Sequence, residues 1–193
     1  MRQAILDKYG NVLDRIEKER ADGDQIWWYV CGYPYLLSYC DLNLHNLGIQ
    51  HRVLFWQQFA FKVEGLLYWG TNHWKFQGSP WTNPCTFDEI RYGDGSLLYN
   101  GNEIGINGPV GSIRLEMTRD GIEDFEYLAM AKGLLPKDQL ESIINPIINP
   151  SPSLNMELSG TQGPDIFVFS NDDDTFYQVR CNLGDAIEKR LVR

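Results

Sequence analysis

Aromatic, amide and acidic residues crowd the middle of this 193-residue chain, where Tyr68, Trp69, Asn72, Trp74, Asp94 and Tyr99 follow one another closely. Planar rings offer flat apolar faces, and amides and carboxylates offer directional hydrogen bonds. Such a set suits a ligand with apolar C–H faces and a rim of hydroxyls, which is what a sugar presents. Tyr29 and Arg114 extend the set; Arg114 could hold a carboxylate or a hydroxyl, although a structural ion pair is the plainer expectation for it. The others have plain readings too. Trp69 divides evenly between ligand contact and core, Trp74 and Trp81 could be lids or simply pack a long loop, and Asp94, between two glycines, is as good a turn former as a hydroxyl acceptor. Trp27 and Trp28, inside an apolar run, are both expected in the core.

Other chemistries find less support. Asp88-Glu89 is an adjacent acidic pair, but it falls in a loop and reads as solvated or as a helix start. His45, His51 and His73 lack a ligand spacing, so neither a metal nor a cofactor is expected. Cys31, Cys40, Cys85 and Cys181 lack CxxC spacing, which leaves free thiols as the default. A net charge of -9, from 17 basic against 26 acidic residues, argues against a nucleic-acid partner. The N-terminal residues turn polar before a signal core forms, and no apolar run approaches the ~20 residues of a membrane span. No membrane partner is expected, and a longer parent could still be secreted.

The elements that must position these residues follow from periodicity. Residues 3 to 20 place Ile5, Leu6, Tyr9, Val12, Leu13 and Ile16 on one helical face, and Gln25 to Cys31 read as a strand buried on both faces. A helix from about Gln50 to Lys62 leads into a second strand, Glu64 to Trp69, so the order is that of βα units. Ser96 to Tyr99 form a third strand candidate before a Gly- and Asn-rich loop. A long helix capped by Ser112 runs through Ala131 with Leu115, Ile122, Phe125 and Ala129 on its core side, and Gly121 within it implies close packing. Arg119, Asp120, Glu123 and Asp124 sit at spacings that allow local pairs. Residues 145 to 165 read as a surface excursion, and a final helix carries Phe176, Val179, Leu183, Ile187 and Leu191.

Several stretches taken together resemble glycoside hydrolase family 123 and the related domain of unknown function 4091. They are Trp27-Trp28-Tyr29-Val30-Cys31, Arg52 to Trp56, Gly65 to Trp69 with Asn72-His73-Trp74, Gly93-Asp94-Gly95 with Leu97-Leu98-Tyr99, and Ser112 to Glu116 with Arg119 to Tyr127. The resemblance covers most of residues 25 to 130. It implies an α/β fold, the C-terminal portion of a (β/α)8 TIM-like barrel, incomplete, with extra C-terminal helices. A single domain is expected over 1–193, with a partial barrel in 1–135 and a helical extension in 136–193. A complete barrel takes eight strands and ~250 residues.

In activity, the resemblance implies hydrolysis of terminal β-linked N-acetylgalactosamine, with the substrate's own acetamido group as nucleophile. The family's catalytic Asp-Glu pair lies upstream of the matching region, so no catalytic residue is assigned in this chain. Functional side chains of such barrels gather at strand ends, which marks Tyr29, Tyr68, Trp69, Asn72, Trp74, Asp94, Tyr99 and Arg114 as the sugar-contacting set. The implied partners are an N-acetylgalactosamine-type glycan and an N-terminal domain, second chain or further copy that completes the barrel. The alternative is a non-catalytic carbohydrate-binding or assembly module.

Overall fold

The structure, a computed structural model, describes residues 12–30, 40–74, 78–85, 92–148 and 169–192, the side chains of 12–15 excepted. The start of the first helix, Cys31, the Asp88-Glu89 pair and most of the 145–165 excursion lie outside them. The elements are α1 (Val12–Ala21), β1 (Trp27–Tyr29), α2 (Gly48–Ala60), β2 (Gly65–Leu67), β3 (Leu98–Asn100), a 3-10 turn (Gly101–Ile104), β4 (Pro109–Gly111), α3 (Ile113–Leu134), α4 (Lys137–Ile144) and α5 (Asp173–Leu191). The fold is mixed α/β. Among the described residues no helix is long and apolar enough to cross a membrane.

β1 and β2 are parallel neighbours joined through α2, with Trp27 opposite Gly65, Trp28 opposite Leu66 and Tyr29 opposite Leu67. The two-residue period of a strand sends alternate side chains to opposite faces. Trp28 and Leu66 pack toward the helices and join the core. Trp27 and Tyr29 point the other way and are exposed, so the expectation that both tryptophans are core holds only for Trp28. Arg20, at the end of α1, ties that helix to the turn before β2 by donating to the carbonyls of Phe61 (2.9 Å) and Lys62 (2.6 Å).

α2 is buried on all sides from Ile49 to Gln58, although Gln50, His51, Arg52, Gln57 and Gln58 are polar. Buried polar groups need partners, and α2 finds them at long range. Gln57 accepts from the Cys40 N–H at 3.0 Å, and Gln50 donates to Asn171 at 3.0 Å while accepting from the Leu47 N–H at its own N-terminus. Arg52 reaches Asp124 on α3 with two hydrogen bonds of 2.6 and 2.9 Å.

α3 starts at Ser112, whose hydroxyl accepts from the Leu115 N–H at 3.3 Å. A Cβ on Gly121 would stand 2.3 Å from the Phe55 ring and 3.1 Å from the Arg52 carbonyl, so only glycine lets α2 and α3 approach this closely. The buried face of α3 is Arg114, Gly121, Asp124, Leu128 and Ala131, while Ile122 and Ala129 are exposed. Expecting those two in the core was wrong because charged residues with buried partners hold inward positions that apolar patterning assigns to the outside.

α5 closes the structure. Phe176, Val179, Leu183 and Ile187 are buried in the same core as Val53 and Leu54, with the Phe176 ring edge-on to Trp56 at 5.1 Å; Leu191 is exposed. Asp172 caps this helix by accepting from the Thr175 hydroxyl and from the Thr175 N–H at 2.9 Å, bonds that hold its carboxyl below its ordinary pKa. The Asp124 carboxylate, expected in a local network, is instead the meeting point of Arg52 and Trp56 from α2 and Arg180 from α5.

The third strand candidate forms differently from expected. Leu98–Asn100 pairs antiparallel with Pro109–Gly111, so β3 and β4 make a hairpin rather than a continuation of the parallel sheet. The short link between them turns through Gly105 and Gly108 at positive φ. A parallel partner would require a crossover of a dozen residues or more.

Candidate functional site at the end of β2

The chain leaving β2 carries Tyr68 and Trp69 and then runs antiparallel beside residues 95–97. His73 N–H donates to the Gly95 carbonyl at 2.8 Å, Leu97 N–H donates to the Thr71 carbonyl at 2.7 Å, and Asn72 bridges Ser96. The turn Gly93-Asp94-Gly95 is thereby held against the strand end. Both glycines have positive φ, 75° and 74°, where other residues are strained.

Asp94 is 1% exposed, and its Oδ1 accepts from the Trp69 indole N–H at 2.8 Å and the Tyr68 hydroxyl at 3.2 Å. The Tyr68 oxygen in turn accepts from the Gly95 N–H at 2.6 Å. Burial pushes the Tyr68 phenol well above its ordinary pKa, the neighbouring Asp94 charge adding to the shift, so the hydroxyl stays protonated as the donor this arrangement needs. The Trp69 ring lies over Gly95, where a Cβ would come within 2.4 Å of it, and meets His73 edge-on at 4.8 Å. Substituting Gly95 by alanine should therefore displace the Trp69 ring and cost more than about 1 kcal/mol, since both φ and space are wrong. Near-UV circular dichroism and urea denaturation would show it.

Arg114 holds the turn from below. It is 1% exposed, and its guanidinium donates to the carbonyls of Leu42 (2.6 Å), Gly93 (2.7 Å) and Ser96. Among the described residues its acceptors are backbone carbonyls and not a carboxylate, so it clamps backbone. Trp74 donates its indole N–H to the Leu98 carbonyl at 2.8 Å, and Trp81 donates to the Asn100 carbonyl at 2.8 Å while standing edge-on to Tyr99 at 5.0 Å.

The structure thus brings Tyr68, Trp69, Asp94 and Arg114 into one bonded unit, with Trp74 bonded to the adjoining hairpin that carries Tyr99, and an exposed Asn72 beside them. Tyr29 stands on β1 opposite Leu67. Sequence reasoning weighed His73 only as a metal ligand and missed its contact with Trp69 and the pairing of Trp81 with Tyr99; the aromatic types were visible, but the partners were not. Asp94 proves to be both turn residue and acceptor, its accepted donors coming from the aromatic side chains themselves. The unit presents fixed rings flanked by polar groups, suited to stacking on a sugar face. Among the described residues no group of three His, Cys, Asp or Glu side chains could hold a metal ion.

Below the turn, His51 is buried with Nδ1 3.0 Å from the Asp41 carbonyl. Burial lowers its pKa from 6.5; the Asp41 carbonyl and charge oppose this, and Arg114 and His45 add to it. A ring whose folded pKa is lowered stabilises the fold fully above the unfolded value, and that stability is lost as pH falls through and below about 6.5. Urea midpoints should therefore drop between pH 7.5 and 5, less so in His51→Gln.

The family model described as glycoside hydrolase 123, catalytic domain, matches residues 4–131. A comparison with curated proteins finds no match. Spanning two thirds of the sequence and the whole bonded unit around Asp94, the family match makes this chain a member of glycoside hydrolase family 123, and its fold a glycoside-hydrolase-like, carbohydrate-active domain.

Proposed function

We propose that this domain supplies the sugar-binding wall of a barrel that hydrolyses terminal β-linked N-acetylgalactosamine by substrate-assisted catalysis, and that it hydrolyses nothing alone. The observation that carries the binding half is the fixed Trp69 ring, anchored through Asp94 and backed by Gly95, beside Asn72 and Trp74. Stacking on a preordered ring costs little conformational entropy, and neighbouring amides and indoles then select hydroxyl orientation. Asp94 already accepts two hydrogen bonds from aromatic side chains and serves as a positioning residue. The family's Asp-Glu pair, which steadies the acetamido group and moves the proton, comes in this reading from another segment or chain.

Hydrolysis of nitrophenyl N-acetyl-β-galactosaminide tests the proposal. The 193 residues alone should release no nitrophenol, and a polypeptide that adds the Asp-Glu segment should release it in a manner lost with Trp69→Ala. Release by the 193 residues alone would place the acid within them and overturn the reading.

A further inference from the structure

We infer that Trp81 and Tyr99 form a second carbohydrate-binding subsite, which takes a neutral sugar joined to the one held at Trp69, so that the ligand of this domain is a glycan of two or more residues. The inference deepens the proposed function and rests on its Trp69 wall, to which it adds a ring from a different segment of the chain.

The first observation is how Trp81 is held. It stands in a tight turn in which the Ser79 carbonyl accepts from the N–H groups of Thr82 (3.2 Å) and Asn83 (2.9 Å), and the Ser79 hydroxyl accepts from the Trp81 backbone N–H at 3.2 Å. Pro80, within the turn, is buried. The indole N–H is spent on the Asn100 carbonyl at 2.8 Å, and the ring stands at 87° to that of Tyr99 with centroids 5.0 Å apart. Trp81 nevertheless remains 37% exposed, whereas Trp56 in the core is 1% exposed. A ring with its polar group satisfied, its backbone fixed and part of its surface in water is preordered for stacking on an apolar C–H face. Little side-chain entropy is lost when it does so.

The second observation is that Trp81 and Trp69 share one frame. The Gly93 N–H donates to the Pro84 carbonyl at 2.6 Å, which ties the segment carrying Trp81 to the same Gly93-Asp94-Gly95 turn whose Asp94 fixes the Trp69 indole. Trp74 and Trp81 donate to the carbonyls of Leu98 and Asn100, two residues apart on β3 and so about 7 Å apart along it. Three indoles are thus anchored in order, Trp69 on Asp94, Trp74 on Leu98 and Trp81 on Asn100. A single monosaccharide engages one such ring, and a ligand of linked sugars engages more.

The charge around Trp81 selects the class of sugar. No Lys or Arg occurs in residues 78–85 or 92–111. The charged groups there are Asp94, which is buried, and Glu103, which is exposed and accepts from the Asn100 side chain at 3.1 Å. A uronic, sialic or sulfated sugar would meet a carboxylate without a counter-charge, while a neutral sugar can donate a hydroxyl to it.

The test measures binding to the 193-residue chain by calorimetry for methyl N-acetyl-β-galactosaminide, for the methyl glycoside of N-acetyl-β-galactosaminyl-galactose, and for the same disaccharide with galacturonate in place of galactose. The galactose disaccharide should bind about three- to tenfold tighter than the monosaccharide, and the galacturonate one no tighter than the monosaccharide. Trp81→Ala should bring the galactose disaccharide down to the affinity of the monosaccharide and leave the monosaccharide where it was; Trp81→Phe, which keeps a ring but no indole N–H for Asn100, should fall between. Saturation-transfer NMR on the unsubstituted chain needs no variant: protons of both sugar rings should receive saturation. Equal affinity for monosaccharide and disaccharide, or saturation confined to the terminal ring, would overturn the subsite and leave the Trp69 wall standing. Tighter binding of the galacturonate disaccharide than of the galactose one would overturn the neutral assignment. Disaccharide binding that survives Trp69→Ala but is lost in Trp81→Ala would support the subsite and count against the wall, and binding of none of the three would overturn both.

Discussion

Replacing Asp124 with alanine should destabilise the domain by about 3–5 kcal/mol, the cost of leaving a buried charge without its partner. Asp124 is fully buried and accepts from Arg52 at 2.6 and 2.9 Å, from the Trp56 indole at 3.1 Å and from Arg180 at 2.7 Å. Arg52 cannot move to water: it is 5% exposed and its guanidinium lies over the rings of Phe176 and Tyr177. Burial opposes its charge, but the bonds and charge of Asp124 outweigh that, and its pKa is raised. Arg180, half-buried over the Tyr127 ring, can turn outward and loses less. Because domains of this kind are stable by only about 5–15 kcal/mol, the loss is a large part of the total. Urea denaturation followed by circular dichroism measures it, and amide exchange in α5 should accelerate before that in α2. A change below about 1 kcal/mol would mean that Arg52 finds another partner.

The second large effect is expected at Arg114. Alanine there removes the donors to the Leu42, Gly93 and Ser96 carbonyls together. Each buried acceptor left unsatisfied costs about 1–3 kcal/mol, and the lost side chain adds a cavity. Lysine should not rescue the position, because a single ammonium group cannot reproduce the planar fork that reaches carbonyls on both sides. The consequence reaches the site directly. With the Gly93-Asp94-Gly95 turn released, Asp94 no longer fixes the Trp69 indole, so the Trp69 N–H resonance should shift toward its solvent position and the near-UV signal should fall. If Arg114→Ala unfolds the chain, Arg114→Met in the presence of a stabilising osmolyte gives the same comparison. An unchanged Trp69 resonance in a folded variant would show that the clamp is not what positions the ring.

Much of the scaffold was legible because it is local. Short apolar runs gave β1 and β2, helical periodicity gave α2 and the buried stripe of α5, and Ser112 and Gly121 announced a cap and a close approach. What escaped was long-range. Arg52 and Asp124 are 72 residues apart, as are Arg114 and Leu42. No window on the sequence contains both partners, and Arg52, Asp124 and Arg114 each look alone like a surface charge. Trp27 escaped for a different reason: alternation shows that it and Trp28 face opposite ways, but which face is covered depends on what packs there. β3 and β4 pair through only three residues each, with Pro109 and Gly111 among them, and such a hairpin leaves little propensity signal. At the site, the residue types were readable and the anchoring of each indole was not, since Trp69, Trp74 and Trp81 donate to partners brought near by the turn and the hairpin.

The sugar-binding wall is tested most directly by titrating the folded domain with methyl N-acetyl-β-galactosaminide while following tryptophan emission, beside a Trp69→Phe variant. A saturable change in the native domain that disappears in the variant, with glucose giving none, is the predicted result. No change in the native domain at millimolar sugar, or an equal change in the variant, would contradict it.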